Sequence, residues 1–117
     1  MEIYNPIELN DTVKDDEPQL NIFYYQNDIG FIDKTNFMII DIDNYDSGTL
    51  LEFGYISALK KQKPGIKIIV YSSDFRNQLN WSERMNRFLD GMIQCNATLV
   101  HNEADLMKEV ESFFKTL

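Results

Sequence analysis

Between residues 41 and 55 the chain reads Asp41-Ile42-Asp43-Asn44-Tyr45-Asp46-Ser47-Gly48-Thr49-Leu50-Leu51-Glu52-Phe53-Gly54-Tyr55, which sets four carboxylates close to the end of one apolar run and the start of another. Carboxylates in such a turn can take or give protons, attack an electrophilic carbon or hold sugar hydroxyls. Placed in the first turn of a helix, Glu52 would face exposed N–H groups and the positive end of the dipole. Those favour the anion and hence a nucleophile, with Asp46 as its neighbour in the loop. A purely structural role is open as well. Thr49-x-x-Glu52 matches a capping box, in which Glu52 turns back to the Thr49 N–H and only starts the helix.

The elements around this turn follow from apolar spacing. Phe37 to Ile42 is an apolar run of the kind expected for a strand buried on both faces, and Ile66 to Tyr71 is a second, preceded by the turn pair Pro64-Gly65. Between them, residues 48–62 carry helically spaced apolar residues and end in Lys60, Lys61 and Lys63, which suit a helix C-terminus. Strand, helix and strand make a βαβ unit. Helices are also expected over Leu20–Thr35 and Trp81–Ile93, the first weakened by Gly30. A short strand is expected over Ala97–Val100, then a final amphipathic helix capped by Asn102, with Leu106, Met107, Val110, Phe113 and Phe114 on one face. Glu2-Ile3-Tyr4 reads as a short strand ended by Pro6, and residues 10–19 as an acidic loop. The alternation implies an α/β sandwich with a parallel sheet, whose ligands sit beyond the carboxyl ends of the strands, at residues 41–52 and 71–76.

Asp46-Ser-Gly-Thr-x-x-Glu52-x-Gly54-Tyr55-x-x-Ala58-Leu59, behind the strand and with Asn27-Asp28 upstream, resembles the signature of the nucleoside 2-deoxyribosyltransferase family. The resemblance covers roughly residues 3–114 and implies one flavodoxin-like (Rossmann-like) three-layer domain over 1–117, with a mostly parallel sheet of about four strands. It implies 2-deoxyribose transfer between nucleobases, or hydrolysis of the N-glycosidic bond, through a covalent glycosyl–Glu52 intermediate. By the same resemblance Asp46 and Gly48 would bind the sugar and Asp28 the base, helping its protonation. Asn86 and Phe88, in Asn86-Arg87-Phe88-Leu89, would reach a neighbouring subunit's pocket, and Asn10 would read the base edge.

Family members begin with a strand, a small-residue loop and a long helix, and this chain is read as lacking that first βα unit. A missing central strand leaves backbone groups to be covered, so a homo-oligomer with shared pocket residues is expected. A catalytically inactive nucleoside-binding or interaction module is the alternative from another class. The acidic turn favours nucleosides over nucleotides, because a 5′-phosphate wants Arg, Lys or a helix N-terminus; Arg84 or Arg87 from a neighbour would reverse that preference.

Other chemistries have weaker support. Asp41-x-Asp43 with Gly48-Thr49-Leu50 is similar, with an insertion, to the phosphorylated turn of haloacid dehalogenase-like phosphatases. Asp41 or Asp43 with Ser72 or Ser73 is similar to a receiver-type regulatory site. No Walker lysine or Gly-x-Gly-x-x-Gly occurs. One Cys and one His cannot build a zinc site, so neither metal nor cofactor is expected. Cys95 reads as a small buried hydrophobe, His101 as a surface or capping residue, Ser72-Ser73-Asp74 as a turn, and Phe23-Tyr24-Tyr25 as core with a polar rim.

Composition bounds the rest. The 117 residues are 44% apolar with a net charge of −8. Residues 1–46 hold 11 acids against 2 bases, whereas residues 47–117 hold 8 against 9. No basic stripe can follow a nucleic-acid backbone, and no apolar run is long enough for a bilayer. A lone cysteine and no basic, apolar leader point to a reducing, cytoplasmic compartment.

Overall fold

In the computed structural model, which describes residues 20–73, 81 and 85–116, the elements run α1 (Leu20–Asp33), β1 (Phe37–Asp41), α2 (Ser47–Lys60), β2 (Lys67–Tyr71), α3 (Arg87–Asn96), β3 (Thr98–Val100) and α4 (Glu103–Lys115). The chain divides into two units: Met1–Thr35, in which α1 is the described element, and Asn36–Leu117, which holds the sheet.

The sheet has the order β1-β2-β3 and both pairings are parallel, with Phe37 opposite Lys67, Asp41 opposite Tyr71, and Tyr71 opposite Val100. This is the expected Rossmann-like α/β sandwich. The described sheet has three strands rather than about four, and the strand expected at Glu2-Ile3-Tyr4 lies outside the described residues. β2 is the middle strand, and Ile68, Ile69 and Val70 are fully buried there, as a strand covered on both faces requires.

β1 does not meet the same expectation. Ile40 is buried, but Ile39 is 46% exposed and Asp41 is exposed. Register explains the difference. Phe37, Ile39 and Asp41 share a face with their partners Lys67, Ile69 and Tyr71. On that face α4 packs against β2 and reaches only the start of β1, where the Phe37 ring lies 4.7 Å from Phe113 and 5.8 Å from Phe114. Lys67 joins the same contact through Glu109 at 3.2 Å and the Thr98 hydroxyl at 2.8 Å. On the opposite face α2 packs on β1 and against α3, and Lys60 Nζ donates to the Asn96 carbonyl at 2.9 Å. Phe53, Ile56 and Ile93 are the buried apolar side chains that these two helices supply.

Helix limits follow their caps. Asn102 caps α4 as expected, its Oδ1 accepting from the Asp105 N–H at 2.8 Å; Met107 and Phe114 are nevertheless exposed on that helix. α3 begins at Arg87, where Asn86 leaves the helical region and its Oδ1 accepts from the Leu89 N–H at 3.1 Å; Trp81 is itself helical, its carbonyl accepting from the Met85 N–H at 2.9 Å, so the helix expected over Trp81–Ile93 is interrupted at residues 85–86. Cys95 lies exposed on α3, two residues beyond buried Ile93, and is not the buried hydrophobe its type suggests. On α1, Phe23 and Tyr25 are exposed, the latter by 65%, so the aromatic cluster is not core. That helix stops at Asp33, where the Thr35 hydroxyl bonds back to the Phe31 carbonyl at 2.8 Å.

Gly54 stands inside α2 with no atom within 4 Å of the position an added Cβ would occupy. Gly54→Ala should therefore raise stability by roughly 0.5–1 kcal/mol, through the smaller backbone entropy lost in the helix. An upward shift of the urea midpoint at unchanged slope is the expected readout.

Candidate active site

Beyond the carboxyl ends of the strands the chain makes a tight turn into α2. Fully buried Ile42 fixes it from below, its N–H donating to the Tyr71 carbonyl at 3.2 Å. Asp41 leaves the strand exposed, and its Oδ1 accepts from the Asp43 N–H at 2.9 Å. The Tyr45 N–H then closes on the Ile42 carbonyl at 3.1 Å, and Tyr45 itself takes a left-handed conformation at φ 49°. A bulky residue rarely adopts that region, so the turn is held by its surroundings and not by local preference.

The reversal aims Asp46 back at its own helix. Asp46 Oδ2 accepts from both the Thr49 N–H and the Thr49 hydroxyl, each at 3.0 Å, and the Asp46 carbonyl accepts from the Leu50 N–H. Asp46 is thus the N-cap. The Thr49 N–H bond first, and the hydroxyl bond second, hold its carboxyl below the ordinary carboxylate range, against a small opposing effect of desolvation. The carboxylate remains exposed at the surface and ionised.

This cap bears on the capping-box reading of Glu52. α2 starts at Ser47, one turn earlier than a capping box over Thr49 and Glu52 requires, and the Thr49 N–H is already bonded to Asp46. Glu52 is not the cap. It also stands in the second turn, not the first, half-buried between fully buried Phe53 and Leu51, which is 75% exposed. Side chains of a helix lean toward its N-terminus and over residues three and four positions earlier. For Glu52 those are Thr49 and Gly48. Gly48 carries no side chain to cover that path, and a Cβ placed there would sit 3.4 Å from Asp46 Oδ2. Six residues at the rise of an α-helix put Asp46 and Glu52 about 9 Å apart along the axis.

The remaining expected residues fall in different places. Asp28 is half-buried on α1, in the other unit. Asn86 is exposed, with its Oδ1 used as the α3 cap, and Phe88 beside it is 78% exposed. Asn10 and Arg84 lie outside the described residues, as does Asp74. Arg87 is the exposed first residue of α3.

The ends of β2 and β3 complete the rim. Asp43 Oδ1 accepts from the Ser72 hydroxyl at 3.2 Å, and its Oδ2 accepts from the Ser73 N–H at 3.1 Å and the Ser73 hydroxyl at 2.7 Å. His101 Nδ1 donates to the Ser72 carbonyl at 3.0 Å. The sequence paired Asp43 with Ser72 or Ser73 only through the similarity to a receiver-type site, and left His101 apart. Their common signal was position: each follows directly, or within two residues, the end of a parallel strand, and adjacent strand ends lie about 5 Å apart. Among the described residues no group of three or more His, Cys, Asp or Glu could hold a metal ion, and no helix is long and apolar enough to cross a membrane.

A parallel α/β sandwich with an acidic strand-to-helix turn beyond the carboxyl end of its sheet is the class that this fold and site define. Within that class, the family model of nucleoside 2-deoxyribosyltransferase matches residues 1–111, and the chain belongs to that family. It is 43% identical over 111 residues to an uncharacterized protein of Ureaplasma parvum serovar 3, a match spanning 94% of this chain and 70% of that protein.

Proposed function

We propose that the protein cleaves the N-glycosidic bond of 2′-deoxynucleosides and transfers the 2-deoxyribosyl group to a second nucleobase. A carboxylate oxygen of Glu52 attacks C1′ while the C1′–N bond breaks, and the bonding pair leaves with the base, which takes a proton from Asp28. A nitrogen of the incoming base then attacks C1′ from the vacated side and loses its proton to Asp28, while the ester bond breaks and Glu52 departs as carboxylate. Two inversions give net retention, as for other covalent glycosyl transfers. Asp46 binds the sugar hydroxyls through its ionised carboxylate, and Gly48 leaves room for the ring. No metal or cofactor takes part.

The observation that carries this reading is the cap. Because Asp46 takes the Thr49 N–H, Glu52 does not close a capping box with Thr49, and membership of the family supports a catalytic carboxylate in this turn. Exposed Phe88 beside Asn86 supports the shared-pocket arrangement, in which a second copy receives both side chains. Contact with the nucleoside would then require at least a dimer. The acidic balance of residues 1–46 favours a neutral nucleoside over a nucleotide.

The test is direct. Purified protein is incubated with a 2′-deoxynucleoside and a different free base, and the mixture is resolved by chromatography. The exchanged nucleoside is the expected product. Free deoxyribose without exchange would make the protein a hydrolase. No turnover by folded protein would reject catalysis and leave a nucleoside-binding module.

A further inference from the structure

We propose that Asp43 is a positioning residue: by gripping Ser72 and Ser73 it bolts the turn at residues 42–46 to the end of β2, and so sets the Asp46 carboxylate and the start of α2. Its role in catalysis rests on the function proposed above; its role in the geometry does not.

Asp43 receives three hydrogen bonds from the two serines, the shortest being Ser73 Oγ at 2.7 Å. An acceptor-only carboxylate suits three donors, and bonds to an ionised acceptor are the stronger kind. The serine end is itself fixed. Ser72 is fully buried, and its N–H donates to the Val100 carbonyl at 3.0 Å, which joins it to β3. Its carbonyl accepts from His101 Nδ1. Because a carbonyl cannot donate, the proton of that bond sits on Nδ1. His101 packs edge-on against Trp81, with ring centroids 6.0 Å apart, and Trp81 Nε1–H donates to Asp90 of α3 at 2.8 Å.

Two residues after Asp43 the chain must pass through Tyr45 at φ 49°. That conformation is unfavourable for tyrosine and persists only where the surroundings impose it. The turn is closed on one side by the Tyr45 N–H bond to Ile42 and on the other by the Asp43 clamp. Releasing the clamp lets residues 43–45 relax, and Asp46, the next residue, loses its alignment with Thr49.

The experiment follows the Asp46 side-chain carboxyl by NMR titration and the Thr49 amide by hydrogen exchange, in the wild type and in Asp43→Ala, Asp43→Asn and Ser73→Ala, with circular dichroism as the check on folding. Asp43→Ala should return the Asp46 titration toward the ordinary carboxylate range and speed Thr49 exchange about tenfold. Asp43→Asn retains a side-chain acceptor and should restore most of both. Ser73→Ala removes the shortest bond and should move Asp46 in the same direction by less. An unchanged Asp46 titration in folded Asp43→Ala overturns the proposal; should that variant not fold, an unchanged titration in Ser73→Ala overturns it. Where the wild type exchanges bases, Asp43→Ala should lower kcat about tenfold or more with KM held within about twofold, since small misplacements of reacting groups act on the chemical step. Wild-type protein without exchange would reject the proposed function, while the titration would still decide the role of Asp43.

Discussion

Glu52→Ala should abolish base exchange, lowering kcat by about a thousandfold or more, and leave α2 intact. Both halves follow from one feature of the structure. The helix is started by Asp46 and Thr49, so removing Glu52 takes nothing from the cap, and alanine is a better helix former than glutamate. Had Glu52 closed a capping box, the same substitution would lower stability and leave chemistry alone. Thermal unfolding and exchange kinetics on one preparation separate the two. Glu52→Gln sharpens the comparison: it keeps the shape and the polar contacts of the side chain but cannot form the glycosyl ester, so it should be as inactive as alanine.

A trapping experiment reads the intermediate itself. A 2′-deoxynucleoside with fluorine at C2′ disfavours positive charge at C1′ and slows both displacements. Transfer to Glu52 should then be seen as an intact-mass increase of one fluorodeoxyribosyl group, located by digestion to the peptide containing Glu52. No adduct on Glu52→Ala is expected. An adduct on another carboxylate, or turnover by Glu52→Gln, would reassign the nucleophile.

The sequence made the parallel α/β arrangement legible because its signals are strong and local. Apolar runs at Phe37–Ile42 and Ile66–Tyr71 flank a helix with lysines at its end, and parallel pairing is the usual outcome of that order. What it concealed was the start of α2. Both Asp46 and Thr49 are good cap residues, Thr49 with Glu52 three residues on, and residue type alone cannot choose between them. The choice was made by the left-handed Tyr45, which no propensity would place there. The break before α3 was hidden for a related reason, since apolar spacing runs through Asn86 without marking it as a cap. Two-face burial of β1 was overestimated because an apolar run reports what a strand tolerates, whereas burial depends on which neighbour and which helix cover it. The clamp at Asp43 depends on three strand ends meeting in space, and no window of sequence contains them all.

Asp46 should show two losses that different substitutions separate. Asp46→Ala removes the acceptor for Thr49 and the charge offered to the sugar, so both stability and kcat/KM fall. Asp46→Ser still accepts from the Thr49 N–H and should keep the unfolding midpoint close to wild type, because serine caps helices almost as well as aspartate. Its kcat/KM should nevertheless drop by about tenfold to a hundredfold, the effect expected when a charged hydrogen-bond partner is lost. Equal activity in Ser and wild type would remove Asp46 from substrate binding and leave it a cap alone. The pH dependence gives an independent check on the same carboxylate. The Thr49 bonds lower its pKa in the folded state below the ordinary value of 3.8, so the unfolded chain binds this proton more readily. The resulting stabilisation is complete above that ordinary value and is lost as pH falls through the lower folded value. Asp46→Asn cannot titrate while still offering an oxygen to Thr49. Its unfolding midpoint should therefore fall less steeply than that of the wild type as pH drops below about 4, and parallel acid limbs would place the stabilising charge elsewhere.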